Sequence, residues 1–233
     1  MRIISIEGQR TYSEVRDLQK KILQKRIDGS IEDTVLFLEH LPVVTQGRGL
    51  QKTGEDRPRH MPLPILPDSI EFCESERGGD LTYHGPGQLV IYPIVHLGES
   101  LLFPEKDIDF YIRFLEKTLF DILKPYGLVG EHRKNATGVW VNQMKIASIG
   151  IALRKWVTYH GIAINVVNSM KPFQLFSPCG FQAEIMTNLE SLLKENLPWE
   201  EANWRGWLET LWARQWGGEI ESSSFENLVS KFS

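Results

Sequence analysis

Apolar and polar positions change period several times along this chain, and each change marks an element. Residues 1–7 read as a short strand. Residues 11–27 carry Tyr12, Val15, Leu18, Ile22 and Leu23 at helical spacing, and Gly29-Ser30 ends that helix. Thr34–Glu39 and Val43–Thr45 read as strands around Leu41-Pro42, and Ile70–Glu74 and Gln88–His96 as two more. Residues 107–124 give the clearest helix: Ile108, Tyr111, Ile112, Leu115, Leu119, Ile122 and Leu123 form one stripe, which Pro125 and Gly127 stop. A β-rich block follows. It has strands at Gly138–Val141, Lys145–Leu153 and Thr158–Val167, with a tight turn at Asn142-Gln143. Residues 168–183 read as a loop, Glu184–Lys194 as a short helix, and Pro198–Trp216 as a longer one with Trp204, Trp207 and Trp212 on its apolar stripe. The pattern predicts one α+β domain over residues 1–217, a mostly antiparallel or mixed sheet flanked by helices, and a mobile Ser-rich tail over 218–233.

Two features of the β block bear on function. Strict alternation puts Lys145, Ala147, Ile149, Ile151 and Leu153 on one face, and Ile146, Ser148, Gly150 and Ala152 on the other. In the next strand His160, Ile162 and Ile164 share a face, opposite Gly161, Ala163 and Asn165. Small residues thus line one side of both strands, which leaves either a groove for a slender ligand or room for a closely packed helix. Upstream, Arg77–Ile94 (RGGDLTYHGPGQLVIYPI) combines two glycine turns with a polar cluster of Thr82, Tyr83 and His84 between them, the composition of a shaped site wall.

Composition narrows the classes. The 233 residues are 42% apolar and 24% charged, ordinary for a globular protein, and the net charge of −4 does not suggest a general nucleic-acid role. The first residues, MRIISIEGQR, hold no long apolar run, so neither a membrane span nor an export signal is expected. Cys73 and Cys179 are the two cysteines, expected to be reduced thiols in a cytoplasmic protein. No zinc pattern or phosphate-binding glycine loop is present, so no metal and no cofactor is expected. The stretch from Gly47 to Pro67 is a long loop bearing Arg48, Lys52, Arg57, Arg59 and His60, either a solvated surface or a basic lip for an acidic partner.

Cys73 sits within an apolar strand pattern, whereas Cys179 sits in a Pro-Cys-Gly turn, an uncrowded setting for a nucleophile. At an ordinary pKa of about 8.5 little of a thiol is ionised at neutral pH, so a base is needed. His84, His160 and Lys145 are the candidates. Lys145 opens an otherwise apolar strand, as either a lysine snorkelling at a strand end or a placed base.

Taken as a set, RGGDLTYHGPGQ (77–88), GVWVNQMKIASIG (138–150), HGIAIN (160–165) and PCG (178–180) resemble the lipoyl(octanoyl) transferases. That resemblance implies the fold of the biotin and lipoate protein ligase catalytic domains. It implies transfer of an octanoyl or lipoyl group from acyl carrier protein to a lysine of a lipoyl domain, through an acyl-thioester on Cys179 with Lys145 as its partner. The acceptors would be the lipoyl domains of 2-oxoacid dehydrogenase E2 subunits and the glycine cleavage H protein, and the enzyme would act as a monomer. The implied acyl site is lined by Arg77, Gly78, Gly79, Asp80, Leu81, Thr82, Tyr83 and His84, by Ser148, Ile149 and Gly150, and by Gly161, Ile162 and Ala163. Met186-Thr187-Asn188-Leu189 departs from the Val-Thr-Ser-Leu frequent in that family. Two other classes share such a fold: an ATP-dependent lipoate or biotin ligase, which needs no cysteine nucleophile, and a non-catalytic carrier-binding module.

Overall fold

The computed structural model describes residues 1–49, 64–133, 136–176, 185–200 and 203–232. The larger sheet has eight strands: β1 (Arg2–Arg10), β2 (Thr34–His40), β6 (Gln88–Ile94), β7 (Glu131–Arg133), β8 (Ala136–Val141), β9 (Met144–Arg154), β10 (Val157–Asn165) and β11 (Ile220–Ser223). Their order is β11-β1-β2-β6-β10-β9-β8-β7. β1 runs parallel to β2 and to β11, and the remaining pairs are antiparallel. A second sheet, order β4-β3-β5, is built from β3 (Val43–Gln46), β4 (Glu71–Glu74) and β5 (Leu81–His84).

Helices cover both faces of the large sheet. Helix α1 (Tyr12–Ile27) starts at a capping box, where the Thr11 side chain accepts from the Glu14 amide and the Glu14 carboxylate accepts from the Thr11 amide. Its Val15, Leu18 and Ile22 pack on Leu36 and Val90, and reach Ala152 and Ala163. On the other face α2 (Ile108–Leu123) sets Leu115 and Leu119 against Phe37, Ile91 and Ile162. The short α3 (Leu189–Leu193) and the Trp-rich α4 (Trp204–Trp216) complete that layer, with Trp204, Trp212 and Trp216 buried in the same core.

The α+β class, the mixed sheet and most of the expected elements are present, with four differences. Leu81–His84, given no element in the pattern, is a strand, because it pairs with β3 from Val43↔His84 to Gln46↔Leu81. Among the described residues of the expected helix over Glu184–Lys194, only Leu189–Leu193 is helical, and Asn188 caps it by accepting from the Ser191 amide. The helix expected from Pro198 begins at Trp204. The expected mobile tail is folded: β11 pairs with β1, and α5 (Phe225–Lys231) buries Phe225, Leu228 and the following Phe232 beside α1. Serine richness misled there, because Ser224 is a helix N-cap rather than a sign of disorder.

Candidate active site

Lys145 is the residue whose placement most departs from simple alternation. β8 and β9 pair in register at Gly138↔Ser148 and Val139↔Ala147, then slip by one residue to Trp140↔Lys145. Ile146 is the extra residue of a β-bulge. Val139, Val141, Ile146, Ala147 and Ile149 all belong to the α2-side core, while the buried Trp140 does not. The bulge therefore turns Lys145 away from Ala147 and Ile149, to the face of Trp140, Ser148 and Gly150. The expectation that Lys145 shares a face with Ala147 is corrected on this point. The lysine is buried, at 3% exposure, with Nζ 5.7 Å from the Trp140 ring centroid. Its stem lies over Gly138: a Cβ there would stand 2.7 Å from the Lys145 Cε and 2.3 Å from the Ala147 carbonyl oxygen, at a φ of +138°.

The glycine segment forms a wall over this face. The Gly78 amide donates to the Ile151 carbonyl at 2.8 Å, and a Cβ on Gly150 would meet the Gly78 carbonyl oxygen at 2.9 Å. Strands β9 and the Arg77–Gly78 backbone can approach this closely only because Gly150 has no side chain. The wall is laced from its other side, since Gly47 donates to Asp80, Arg48 to Arg77 and Gly49 to Gly79, all backbone to backbone at 2.9 Å. Arg77 is buried, and its guanidinium donates to the Thr45 carbonyl and hydroxyl, the Gly78 carbonyl and the Asp80 carbonyl. Those bonds make it a brace for the wall. Leu81 and Tyr83 turn into a small core with Val44, Phe173 and Met186. Thr82 and His84 are buried on the same strand.

The small-residue face of β9 and β10 is thus divided. α1 covers Ala152 and Ala163, and the Arg77–Gly78 backbone covers Gly150. Ser148 and Gly150 stay half-buried. Gly161 pairs with Gly150 across β10 and β9, whereas Ile149 and Ile162 face the α2 side. Of the residues expected to line an acyl site, Ser148 and Gly150 share the face of Lys145 and Gly78 packs on Gly150, while Ile149 and Ile162 lie on the opposite face.

The two histidine candidates for a base lie in a stack under α1. The Tyr12 ring is 6.1 Å from His84 and 6.3 Å from His160, nearly parallel to both. Burial pushes both imidazoles below their ordinary range, His84 well below it. Gln88 fixes His84 further. The Gln88 amide nitrogen donates to the Tyr83 carbonyl and the Asn165 Oδ1, so its oxygen faces His84 Nδ1 at 2.8 Å as an acceptor. His84 is then neutral with its proton on Nδ1. His160 Nε2 faces Glu76 at 3.6 Å, and that ring, with Lys20 beyond it, holds the Glu76 carboxyl well below the usual carboxylate range. Cys73 donates to Glu71 at 3.0 Å, and burial, followed by the Glu71 contact, pushes its thiol up to about 12, consistent with an inert structural thiol. Cys179 lies outside the described residues, as do Lys52, Arg57, Arg59 and His60 of the basic loop and Lys134.

Sequence reading passed over the polar groups behind the wall. Gln88 and Asn165, each 1% exposed, continue through Asn165 Nδ2 to the Thr187 carbonyl at 3.0 Å. Their signal was an amide side chain inside two strongly apolar strands.

The fold, a mixed sheet flanked by helices, is that of the lipoate protein ligase catalytic domains. It matches lipoate-protein ligase A bound with ATP at a TM-score of 0.66, 15% identity, 99% of this chain and 94% of that one. It matches the bipartite lipoate protein ligase of Thermoplasma acidophilum at 0.64, with 15% identity over 99% and 90% of the two chains. The model of the lipoyl protein ligase A/B catalytic domain matches residues 11–205. In sequence the chain is 39% identical to an octanoyltransferase of Syntrophobacter fumaroxidans over 201 residues, 84% of this chain and 83% of that protein. It is 40% identical to an octanoyltransferase of Syntrophotalea carbinolica over 185 residues, 79% and 81% of the two. The chain belongs to the lipoyl protein ligase A/B catalytic-domain family, among its octanoyltransferases, and is an acyltransferase.

Proposed function

We propose that this acyltransferase moves an octanoyl or lipoyl group from acyl carrier protein to a lysine of lipoyl domains, through a thioester on Cys179. The acceptors are the lipoyl domains of E2 subunits and H protein. The observation that carries the reading is the bulge that aims Lys145 at the face shared by Ser148 and Gly150, beneath the Arg77–Gly78 wall.

The chemistry has two half-reactions. Neutral Lys145 takes the Cys179 proton, and the thiolate attacks the carrier thioester carbonyl. The bond to the carrier's pantetheine sulfur breaks, and that sulfur leaves with the proton from Lys145. The target amine then attacks the Cys179 thioester. The Cys179 sulfur leaves, and the proton lost by the amine returns to it through Lys145. The two histidines are poor alternatives as bases, since burial keeps both neutral to lower pH than usual. An eight-carbon chain offers seven carbons for apolar burial beyond the carbonyl, about 5 kcal/mol at roughly 0.8 kcal/mol per methylene, enough to favour it over short acyl groups.

Intact-protein mass spectrometry after incubation with octanoyl-carrier tests this. An octanoyl increment mapped to Cys179 is expected, absent in Cys179→Ser. Full transfer activity in Cys179→Ser, or transfer that requires ATP and free octanoate, would overturn the scheme.

A further inference from the structure

Strand β10 ends at Asn165, one pair beyond Ile164↔Ala147. The chain over 186–187 then takes its place beside β9. Met186 bridges Lys145 in parallel, and the Thr187 amide donates to the Lys145 carbonyl at 3.0 Å. The side chain that holds this returning segment in place is Asn165. Its Nδ2 donates to the Thr187 carbonyl at 3.0 Å, while its Oδ1 accepts from Gln88 at 2.8 Å and from Asn168 at 3.0 Å. Thr187 is thus held through its carbonyl by Asn165 and through its amide by Lys145. The bulge at Ile146 takes Lys145 out of the regular β8 register, so the bond from Thr187 supports the very residue whose aim the bulge sets.

We propose that Asn165 is a positioning residue for Lys145, acting through Thr187. Buried at 1% exposure and bonded at both ends of its amide, it ties the end of β10, the Gln88–His84 side of the wall and the start of β9 into one network. The inference rests on the role of Lys145 in the proposed function. Loss of the Asn165 bond lets residues 186–187 move from β9, and Lys145 with them, so proton transfer suffers more than substrate binding.

The test is single-turnover octanoyl loading as a function of pH, with hydrogen exchange at the Thr187 amide. Asn165→Ala should lower the maximal loading rate at least tenfold, leave the KM for octanoyl-carrier within about twofold, and move the pH midpoint of loading upward. The Thr187 amide should lose protection while the amides of β6 keep theirs. Asn165→Ser, too short to reach Thr187, should behave alike and covers the case in which the alanine variant does not fold. Asn168→Ala removes a neighbour that also bonds Asn165 but leaves the Thr187 contact, and should keep the wild-type midpoint. A wild-type midpoint in both Asn165 variants, or an equal shift in Asn168→Ala, overturns the inference. Lys145→Ala separates the two failures: if it loads octanoyl with the wild-type pH profile, the role of Lys145 falls and this inference with it. If Lys145→Ala is impaired and the Asn165 variants are not, the positioning role alone falls.

Discussion

Lys145 and Trp140 stand opposite one another across β8 and β9, with Nζ 5.7 Å from the indole centroid, because a single extra residue, Ile146, interrupts the pairing between them. Were Ile146 paired in regular alternation instead of bulged, the lysine would follow Ala147 and Ile149 toward the α2-side core. Burying an amine costs stability in either protonation state, so a structure selected for stability alone would favour an apolar side chain here. Lys145→Met is therefore expected to hold or raise the melting temperature while lowering octanoyl transfer at least about 10²-fold, the usual scale for a lost proton-transfer group. Calorimetry alongside steady-state transfer assays gives both numbers. Transfer within a few-fold of wild type would remove Lys145 from the chemistry.

Gly138 gives the lysine its room. A methyl group there meets the Lys145 stem at 2.7 Å and the Ala147 carbonyl oxygen at 2.3 Å, and an L-residue is strained at φ +138°. Its amide also donates to the buried Glu116 carboxylate at 3.3 Å. Gly138→Ala should cost about 2–4 kcal/mol of stability and reduce transfer in the folded fraction, because the methyl group displaces the lysine. Urea denaturation measures the first effect and rates normalised to folded protein the second. An unchanged midpoint would mean that the strand relaxes around the methyl group at no cost.

The basic residues bear on the proposed donor. Acyl carrier proteins are acidic, and we propose Arg48, Lys52, Arg57, Arg59 and His60, with Arg133 and Lys134, as the residues that meet the carrier. Exposed charges are screened over about 10 Å at 0.1 M salt. The KM for octanoyl-carrier should rise several-fold between 50 and 300 mM sodium chloride, while hydrolysis of a small octanoyl thioester should change little. Equal salt responses for the two substrates would count against an electrostatic contact with the carrier.

Much of the fold was legible because its elements obey simple periods. The stripe of α2 and the apolar run of β6 announce themselves. What escaped was set by single residues acting against the period. Ile146 is an unremarkable apolar residue in a strand, and only its lack of a partner on β8 makes it a bulge. Gln88 and Asn165 drew no notice as members of two strands, although Gln88 Nε2 donates to Asn165 Oδ1. Arg77 enters the acyl site only through the family resemblance, and the reach of its guanidinium back to the Thr45 carbonyl and hydroxyl and to the Gly78 and Asp80 carbonyls could not be read from its position in the chain. In each case pairing decided the role, and pairing is a long-range property.

The C-terminal residues illustrate this with a measurable consequence. β11 covers the outer edge of β1 from Ile3↔Ile220 to Ile6↔Ser223, and α5 buries Phe225, Leu228 and Phe232. Truncation after Gly217 bares that edge and removes three buried side chains, each worth about 1.5–3 kcal/mol. The shortened chain should lose more than about 4 kcal/mol in chemical denaturation or should aggregate through the exposed strand. A wild-type denaturation midpoint would restore the view of residues 218–233 as a dispensable tail.

Acid should weaken the fold from beneath α1. His40 is fully buried, its Nδ1 donates to the Arg10 carbonyl, its Nε2 accepts from the Tyr92 hydroxyl, and burial pushes it down to about 4. His84, 5.6 Å away, and His160 are lowered in the same direction. A histidine with a depressed folded-state pKa binds its proton more readily in the unfolded chain, so stability falls as pH drops below the unfolded value of about 6.5. For His40 the loss is complete near pH 4 and amounts to about 3 kcal/mol at 1.36 kcal/mol per unit. Glu76 adds a loss of the same sign below the ordinary carboxylate pKa, since its carboxyl is held low in the folded state. Urea midpoints should therefore be level above pH 7 and decline between pH 6.5 and 4. His40→Gln should flatten that decline, even where it lowers the plateau. A decline of the same steepness in His40→Gln would place the acid sensitivity elsewhere than in this stack.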